Sequence, residues 1–367
     1  MTHTAELRLN EYVDSKIRNI CLILSVMVAF NHSRTIDLSY GWEGLSLSPI
    51  TFDYLGRAPL EIFLEHSLSG ALGRITNPFF FLISGFLFFY NWRPTLGSWL
   101  GKMHKRLFTL LGPFVIWSLL GKLVNFVTFV LENPEVVAGS GVSGLKYAQS
   151  MCRLFLSMPS PGQLWFVRAL MLIMLGAPVL AWLITKLRAK TLLLIYALYL
   201  SPYQTPWDWV DKSAICFFAF GATLGYLRAN IWLGSRSLAK MLVGFWFLSA
   251  GLYTALSLVW DWDLTLLFKF MILGGLPGIW ALYELLPEWI HNWLGGFAPY
   301  RFFVYMGFDP LLTIVQDHYY AILPPSQLTN LLGYLCLPTI VVALCILLAR
   351  CLRRRLPSLY FVLTGGR

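Results

Sequence analysis

The chain has 367 residues, of which 57% are hydrophobic and 13% are charged, whereas soluble domains carry ~25% charged residues. This composition excludes an ordinary water-soluble surface, and the long apolar blocks are typical of helices that span a bilayer. The net charge of +10 comes from short clusters of Lys and Arg between those blocks, which argues against a nucleic-acid partner and is typical of orientation signals.

Ten apolar blocks follow one another along the chain and predict an all-α fold, a polytopic transmembrane bundle of about ten helices. The predicted spans are residues 19–37, 78–92, 107–131, 164–186, 191–201, 213–229, 240–260, 264–285, 301–321 and 327–350. The fifth block is short. Without it the count is nine, and the two termini lie on opposite sides of the membrane.

Lys and Arg residues lie mostly on one side of the predicted bundle, and the positive-inside rule makes that side cytoplasmic. Both termini are then cytoplasmic, which requires an even number of spans and agrees with ten. The basic side holds Arg8, Lys16, Arg18, Arg93, Lys102, Lys105, Arg106, Lys186, Arg188, Lys190, Arg228, Arg236, Lys240, Arg350, Arg353, Arg354 and Arg355. The first seventeen residues contain no apolar signal-peptide core, so we expect the first span to anchor the protein uncleaved.

Two outer segments, 38–77 and 132–163, are long and contain Gly, Ser, Pro and charged residues, so we expect them to carry function. No repeat or low-complexity tract divides the chain, and residues 1–367 are predicted to form a single domain. The six cysteines show neither a CxxC pair nor a metal-ligand spacing, and no metal site is predicted.

His32 ends the first predicted span, and Arg18 lies 14 positions before it. At 3.6 residues per turn both side chains project from one helix face, about 21 Å apart along the axis. An unperturbed imidazole pKa of ~6.5 allows His32 to take and give a proton near neutral pH, as a general base or an acyl acceptor does. A histidine that caps the helix at the interface is equally consistent with the sequence.

Further polar residues lie within or beside apolar blocks, where an ionisable group costs ~2.5–3.5 kcal/mol on insertion scales. Arg74 precedes the second span and Ser84 lies in its middle. Snorkelling is the ordinary explanation for the arginine, and packing explains the serine as well as catalysis does. Arg168 is expected to face the bundle interior or a water-filled cavity. Asp309 precedes Pro310 in the ninth span, which indicates a cavity wall or a simple kink.

Two further pairs of residues, one basic and one acidic, are candidates for a functional role. Lys105 and Arg106 lie at the predicted cytoplasmic end of the third span, where they serve as orientation signals or bind a phosphorylated donor. Glu61 and Glu65 lie one helical turn apart in an outer segment and share a face if residues 58–67 are helical.

Five strings, in this order, resemble the integral-membrane acyltransferase family 3. They are the His-Ser that ends the first helix, NPFFFLISGFLFF with an Arg before it, KRL followed by GPFVIWS, QLWFVRAL, and RFFVY followed by DPLL. Each string alone is chiefly apolar, but their order and spacing over most of residues 18–312 are specific.

The resemblance implies a bacterial inner-membrane O-acyltransferase that moves an acyl group, commonly acetyl from cytoplasmic acetyl-CoA, onto a sugar hydroxyl. The implied acceptors are exopolysaccharide, capsule, O-antigen or a lipid-linked oligosaccharide. His32 then deprotonates the hydroxyl or carries the acyl group transiently, and both routes stay open. The implied partners are therefore acetyl-CoA, the carbohydrate and membrane lipid, with no metal and no nucleic acid.

Three sets of residues are assigned to this reaction. Coenzyme A phosphates are expected to contact Arg18, Lys105 and Arg106. The donor carbonyl or the developing oxyanion is expected to contact Arg74, Ser84 and Arg168, beside the catalytic His32. The sugar is expected to contact Glu61, Glu65, Trp165 and Asp309.

Three features depart from the family pattern. Thirteen residues separate Arg18 from His32 where about ten are usual, which keeps the shared face and adds one turn. Relatives often carry His-Glu-Pro in the ninth helix, where this chain has Phe308, Asp309 and Pro310, so it must act without that second imidazole. The chain also lacks room for the soluble esterase-like domain that some relatives append.

A transporter or flippase of a lipid-linked sugar or a small anionic solute is the alternative, because Arg168 and Asp309 at membrane depth also suit a substrate path. The sequence shows no convincing inverted repeat or pair of matching broken helices, which favours the enzyme.

Overall fold

The computed structural model of the protein describes residues 11–34, 59–93, 95–132, 161–205, 209–231, 234–259, 263–324 and 326–366. Regular secondary structure in these residues is helical throughout, which confirms the predicted all-α class. The α-helices, numbered α1 to α15 in chain order, are Glu11–His32, Pro59–Glu65, Thr76–Tyr90, Leu96–Arg106, Gly112–Glu132, Trp165–Leu175, Ala177–Leu187, Lys190–Leu200, Lys212–Tyr226, Arg236–Val259, Thr265–Leu285, Glu288–Phe297, Arg301–Ile322, Gln327–Arg355 and Pro357–Thr364.

Short π-helical and 3₁₀ segments join some of these helices without a break. A π-helical segment, His66–Ala71, and a 3₁₀ turn, Leu72–Ile75, connect α2 to α3, so that Leu60–Tyr90 is one continuous helical element. A second π-helical segment, Leu107–Leu111, connects α4 to α5. π-Helical segments are rare and frequently lie at functional sites.

Among the described residues, five helical elements are long and apolar enough to cross a membrane, and α6 with α7 forms a sixth if that pair, bent by 60°, is one span. The five are Leu60–Tyr90, Leu96–Thr128, Arg236–Leu258, Thr265–Leu285 and Gln327–Arg355. The count of ten and the cytoplasmic position of the termini stay predictions. The predicted fifth span corresponds to α8, which has 11 residues and is shorter than the ~20 that a bilayer requires.

Two of the differences between the observed and the predicted helix boundaries concern the first span and the first outer segment. The first helix begins at Glu11 and ends at His32, whereas the predicted span was 19–37. Residues 59–77 are helical, so the prediction of an outer loop over 38–77 is wrong for that part. Polar residues there are buried against other helices, and such contacts are invisible in the local composition that predicted a loop. Residues 35–58 and 133–160, most of the two outer segments, lie outside the described residues.

Helices α3 and α9 pack with their backbones in contact. Gly221 and Gly225, four positions apart on α9, lie against the backbone of Leu82 and Phe86 on α3, and Gly85 lies against the backbone of α9. A Cβ atom at any of these three glycines would overlap the facing backbone. Small residues four apart are a common means of close helix packing in membranes, so this helix pair forms a rigid part of the bundle.

A buried ion pair holds one end of α1. Lys16 is 0% exposed, and its Nζ lies 2.5 Å from a carboxylate oxygen of Glu284 on α11 and 4.0 Å from the centroid of the Trp280 ring. The Tyr12 hydroxyl donates to the same carboxylate at 2.8 Å. Following the predicted orientation, the end of the bundle that holds Lys16 is called the inner end, and the end that holds His32 is called the outer end.

Candidate active site

His32 and Asp309 form a pair at the outer end of the bundle. His32 is the last residue of α1, Asp309 lies within α13, and His32 Nδ1 is 3.3 Å from Asp309 Oδ1. The two side chains are 35% and 18% exposed, so a substrate can reach them. With the carboxylate beside Nδ1, the tautomer that places the proton on Nδ1 leaves Nε2 as the nitrogen that can act as a base. The sequence assigned Asp309 to the sugar, whereas its carboxylate contacts the imidazole.

The residue after His32 fixes the end of α1. The Ser33 carbonyl accepts a hydrogen bond from Gln316 Nε2 on α13 at 3.1 Å. The Ser33 hydroxyl lies 3.4 Å from the Tyr334 carbonyl on α14. Pro338 has no N–H with which to satisfy that carbonyl four residues before it, so Ser33 occupies the place of a missing helical donor. Contacts to two other helices therefore set the position of the imidazole.

A second proline, next to Asp309, leaves another helical carbonyl without its usual donor. Pro310 cannot donate to the Met306 carbonyl, and Gln163 Nε2 lies 3.3 Å from that oxygen and 3.4 Å from the Tyr305 carbonyl. The Tyr305 hydroxyl donates in return to the Gln163 carbonyl at 2.8 Å. Gln163 is 1% exposed, so its amide is a buried replacement for the missing bond. It holds the turn of α13 that carries Asp309.

A cavity of about 150 Å³ lies between α1, α3, α6 and α13 and is called the inner cavity. Ser84, one of the predicted catalytic residues, is part of its mainly apolar wall. The lining residues are Ile17, Cys21, Ser25, Phe80, Ile83, Ser84, Leu87, Leu110, Phe166, Val167, Leu170, Arg301, Phe302 and Tyr305. Such a wall suits an extended, largely uncharged group better than a phosphate.

Two helices of the inner-cavity wall, α1 and α13, also carry the His32–Asp309 pair. On α1, Cys21 and Ser25 precede His32 by about three and two turns, so the three side chains project from one face. On α13, Tyr305 precedes Asp309 by about one turn. The rise from Ser25 to His32 is about 10.5 Å. This is the distance along α1 from the last residue that lines the cavity to the imidazole.

Two arginines lie at the inner end of this cavity. Arg301, the first residue of α13, lines it and donates from Nη1 to the Ala298 carbonyl at 2.8 Å. Arg18 is close enough to Arg301 for their charges to interact, and it pairs with Asp14 at 3.1 Å. Guanidinium groups bind phosphate oxygens strongly. Arg301 is not among the predicted donor-binding residues, although a cation in the first turn of a predicted span was an available signal.

The other two predicted donor-binding cations differ in position. Lys105 is exposed and Arg106 is half-buried at the end of α4. Neither lines the inner cavity, but Leu110, four residues after Arg106, does. Arg106 therefore lies on the helical segment that forms part of the cavity wall, whereas Lys105 faces the surroundings of the protein.

A second cavity, of about 290 Å³, is called the outer cavity. The predicted residues Arg74 and Trp165 line it, together with Asn31, which directly precedes His32. Its wall also holds polar and charged residues that the sequence analysis did not select: Thr76, Asn77, Tyr199, Gln204, Asp211, Lys212, Ser213, Thr265 and Lys269. An aromatic ring with convergent polar groups is typical of a site for a polar ligand such as a sugar.

The charges of the outer cavity are mixed. Burial raises the pKa of the Asp211 carboxyl, against the opposing effect of its hydrogen bonds with Ser213. Lys269 lies in the apolar string LLFKFMIL. A lysine within a predicted span carries a free-energy cost of insertion into the membrane, and this signal could have identified Lys269 as a candidate.

Glu61 and Glu65 lie on α2, where their spacing places them on one face. Both are buried, and neither lines the outer or the inner cavity. The following residue, His66, is also buried, with Nε2 2.5 Å from the Ser257 hydroxyl and its ring stacked on Tyr253. The two glutamates therefore lie in a buried polar layer and line neither of the two cavities.

Arg168 lies on α6 between the two cavities. Trp165, three residues before it, lines the outer cavity, and its neighbour Val167 lines the inner one. Arg168 itself is half-buried and lines neither of them. Ser84 thus lies in the inner cavity, Arg74 and Trp165 line the outer cavity, and Arg168 lies between the two cavities. The His32–Asp309 pair lies on two of the helices that line the inner cavity.

Metal ligation has no support in the described part of the chain. Within those residues, no group of three or more His, Cys, Asp or Glu side chains is arranged to hold a metal ion. Five cysteines, Cys21, Cys216, Cys336, Cys345 and Cys351, are free thiols.

Two comparisons with known proteins each find a match over most of the chain. The model of a family described as an acyltransferase domain matches residues 22–350. The chain is also 27% identical, over 328 residues, to the succinoglycan biosynthesis protein ExoH of Rhizobium meliloti, a match that covers 86% of this chain and 85% of that protein. No solved structure matches the chain.

Proposed function

The chain belongs to the acyltransferase-domain family, and from that membership we propose that it transfers an acetyl group from cytoplasmic acetyl-CoA to a sugar hydroxyl. The acceptor is an exopolysaccharide, capsule, O-antigen or a lipid-linked repeat unit of one of them. The name of the relative ExoH refers to the biosynthesis of a polysaccharide, which supports a glycan acceptor. The apolar helices place the enzyme in a membrane as a multi-pass protein, and we assign it to the inner membrane of a bacterium.

One observation carries the proposal: the two helices that hold the His32–Asp309 pair, α1 and α13, also line the inner cavity. Arg301 and Arg18 at the inner end suit the phosphates of coenzyme A, and the apolar wall around Ser84 suits its uncharged arm. The outer cavity reaches Asn31, the neighbour of His32. Donor and acceptor therefore have separate places that meet near the same ring.

In the direct route, His32 Nε2 takes the proton of the sugar hydroxyl while the hydroxyl oxygen attacks the thioester carbonyl. A carbon–oxygen bond forms, the carbon–sulfur bond breaks, and the thiolate leaves with the proton that the imidazolium returns. Asp309 holds Nδ1 and stabilises the transient positive charge on the ring. Arg74, Ser84 and Arg168 are assigned to orient the donor or to bind the oxyanion.

In the second route, His32 Nε2 itself attacks the thioester and carries the acyl group. The thiolate leaves first, and the sugar hydroxyl then attacks the acyl-imidazole. The products are the same ester and the same free thiol. The two routes differ in whether acetyl-CoA is consumed without an acceptor.

The test uses purified full-length protein in lipid nanodiscs with acetyl-CoA labelled in the acetyl group. We expect label to appear on an added oligosaccharide and free thiol to be released in equal amount. A transporter or flippase would leave the thioester intact. Release of thiol in the absence of any acceptor distinguishes the second route from the first.

A further inference from the structure

Among the described residues that line the outer cavity, positive charges outnumber negative ones. Among its described lining residues, Arg74, Lys212 and Lys269 are cationic and Asp211 is the carboxylate. The Asp211 side chain caps α9 by accepting the Ser213 amide N–H at 2.8 Å. Its burial further disfavours the charged form, so this carboxylate offsets the positive charge only in part.

Two of these cations converge on one atom. Lys212 Nζ donates to the carbonyls of Ser201 and Tyr203 at 2.8 and 2.6 Å. Lys269 Nζ donates to the carbonyls of Leu200 and Ser201 at 3.3 and 3.4 Å. The two lysines come from different helices, α9 and α11, and both ammonium groups therefore lie at the Ser201 carbonyl oxygen.

The local backbone explains why the lysines lie there but does not balance their charge. The Ser201 carbonyl, which both lysines contact, lies at the C-terminal end of α8. The helix dipole there amounts to about half a negative charge. Two ammonium groups bring two positive charges. In the described part of the chain no carboxylate forms an ion pair with either lysine. Each ammonium has three N–H donors and uses two on carbonyls, which leaves one for a ligand.

We propose that the outer cavity binds acceptors that carry an oxyanion, a carboxylate or a phosphate, and that Lys212 and Lys269 are its ligands. The inference rests on the proposed function, because it assigns this cavity to the acceptor. An oxyanion with several lone pairs accepts from both ammonium groups and neutralises the pair, while Trp165 in the same cavity packs against the sugar ring. The anion is either an acidic group of the sugar or the diphosphate of a lipid carrier.

The experiment measures equilibrium binding to the full-length protein in nanodiscs of zwitterionic lipid, without an acyl donor. Three probes are compared: a neutral cello-oligosaccharide, the same oligosaccharide ending in glucuronate, and farnesyl diphosphate. We expect at least one anionic probe to bind at least about tenfold more tightly than the neutral one, the value expected for one charged hydrogen bond. The tighter anionic probe identifies the source of the anion.

Matched variants test the two lysines. The double variant Lys212→Gln and Lys269→Gln is expected to lose the preference, and the charge-conserving double variant Lys212→Arg and Lys269→Arg is expected to retain it. Lys240→Gln, at an exposed position, serves as the control and should behave as the unmodified protein. Equal affinity for neutral and anionic probes overturns the inference, as does a preference that survives the glutamine variant or the absence of binding by both anionic probes.

The outcome is separable from that of the proposed function. If the protein shows the charge preference but never releases thiol from acetyl-CoA, the acyltransferase proposal fails and the anion site stands. If it acetylates neutral and acidic oligosaccharides alike and binds them equally, the anion site fails and the acyltransferase proposal stands.

Discussion

Each end of α1 carries a contact between a base and a carboxylate. The carboxylates are similarly exposed, Glu284 at 23% and Asp309 at 18%, and the two bases differ in accessibility. At the inner end, Lys16 is fully buried and its ammonium is satisfied by Glu284 and the ring of Trp280. At the outer end, His32 and Asp309 are 3.3 Å apart and both partly exposed. A base that is closed to solvent can only hold helices together, whereas a base that a substrate can reach can also transfer a proton.

The difference shows why an intramembrane charge is not in itself a functional residue. Lys16 and Glu284 lie in α1 and α11 and fasten those helices at one end. His32 lies at the other end of α1, beside Asp309 on α13, and both helices also line the inner cavity. The inner pair thus fixes α1, and the outer pair is accessible to a substrate. Substitutions in the inner pair should lower stability, whereas substitutions in the outer pair should lower activity.

The largest expected effect on activity is at His32. His32→Ala removes the base or acyl acceptor and should lower acyl transfer at least about 1,000-fold, while the amount of membrane-inserted protein stays unchanged. Acyl transfer by the purified variant provides the measurement. His318→Ala, on the exposed face of α13, is the matched control and should retain normal transfer. Normal activity of the His32 variant would remove this residue from the active site.

Asp309→Asn should have the next largest effect, a fall in turnover of about 100-fold. The amide keeps the size of the side chain but loses the charge that fixes the ring tautomer and stabilises the imidazolium. Turnover number and the Michaelis constant for acetyl-CoA are measured separately, and only the former should change. Asp317→Asn, also on α13 and exposed, is the control. A fall confined to the Michaelis constant would assign Asp309 to donor binding instead.

Lys16→Met should act on stability. It leaves the Glu284 carboxylate without its ammonium partner, at a cost on the order of 3 kcal/mol, and should lower the apparent unfolding temperature in detergent. The second change Glu284→Leu should restore most of the loss, because an apolar pair of similar volume replaces an ion pair at little cost. If the double variant is no more stable than the single one, the pair is not the source of the effect.

Gln163→Leu should have the smallest effect, a loss of turnover of about tenfold. It leaves the Met306 carbonyl unpaired next to Pro310, at about 1–3 kcal/mol, and loosens the turn that carries Asp309. The Michaelis constant for acetyl-CoA should stay within a factor of about two. Gln327→Leu, at an exposed position, is the control. Unchanged turnover in the Gln163 variant would show that Asp309 is positioned without this amide.

Much of this arrangement is visible in the sequence. The helical class, the imidazole at the end of the first helix and the carboxylate beside Pro310 all follow from apolar blocks interrupted by single polar residues. Trp165 and Arg74 belong to strings that resemble a known family, and both line the outer cavity. These features are local, so a single segment contains the information.

The remaining features depend on which segments pack together. Lys16 reads as an orientation signal until Glu284, 268 positions away, is placed against it. Gln163 reads as a polar residue before a helix until α13 brings the Met306 carbonyl to it. Glu61 and Glu65 illustrate the reverse case, because an acidic pair that suggested a sugar site is buried away from both cavities. Contacts between helices that are distant in the sequence therefore could not be predicted from a single sequence.

The central claim is that a coenzyme A thioester reaches the His32–Asp309 pair through the inner cavity. Cys21 lines that cavity, and a small thiol reagent with mass spectrometry can follow its modification in the purified protein. Free coenzyme A or acetyl-CoA is predicted to slow modification of Cys21 severalfold and to leave the exposed thiols of Cys336 and Cys351 unaffected. Modification of Cys21 at the same rate with and without the donor would contradict the claim.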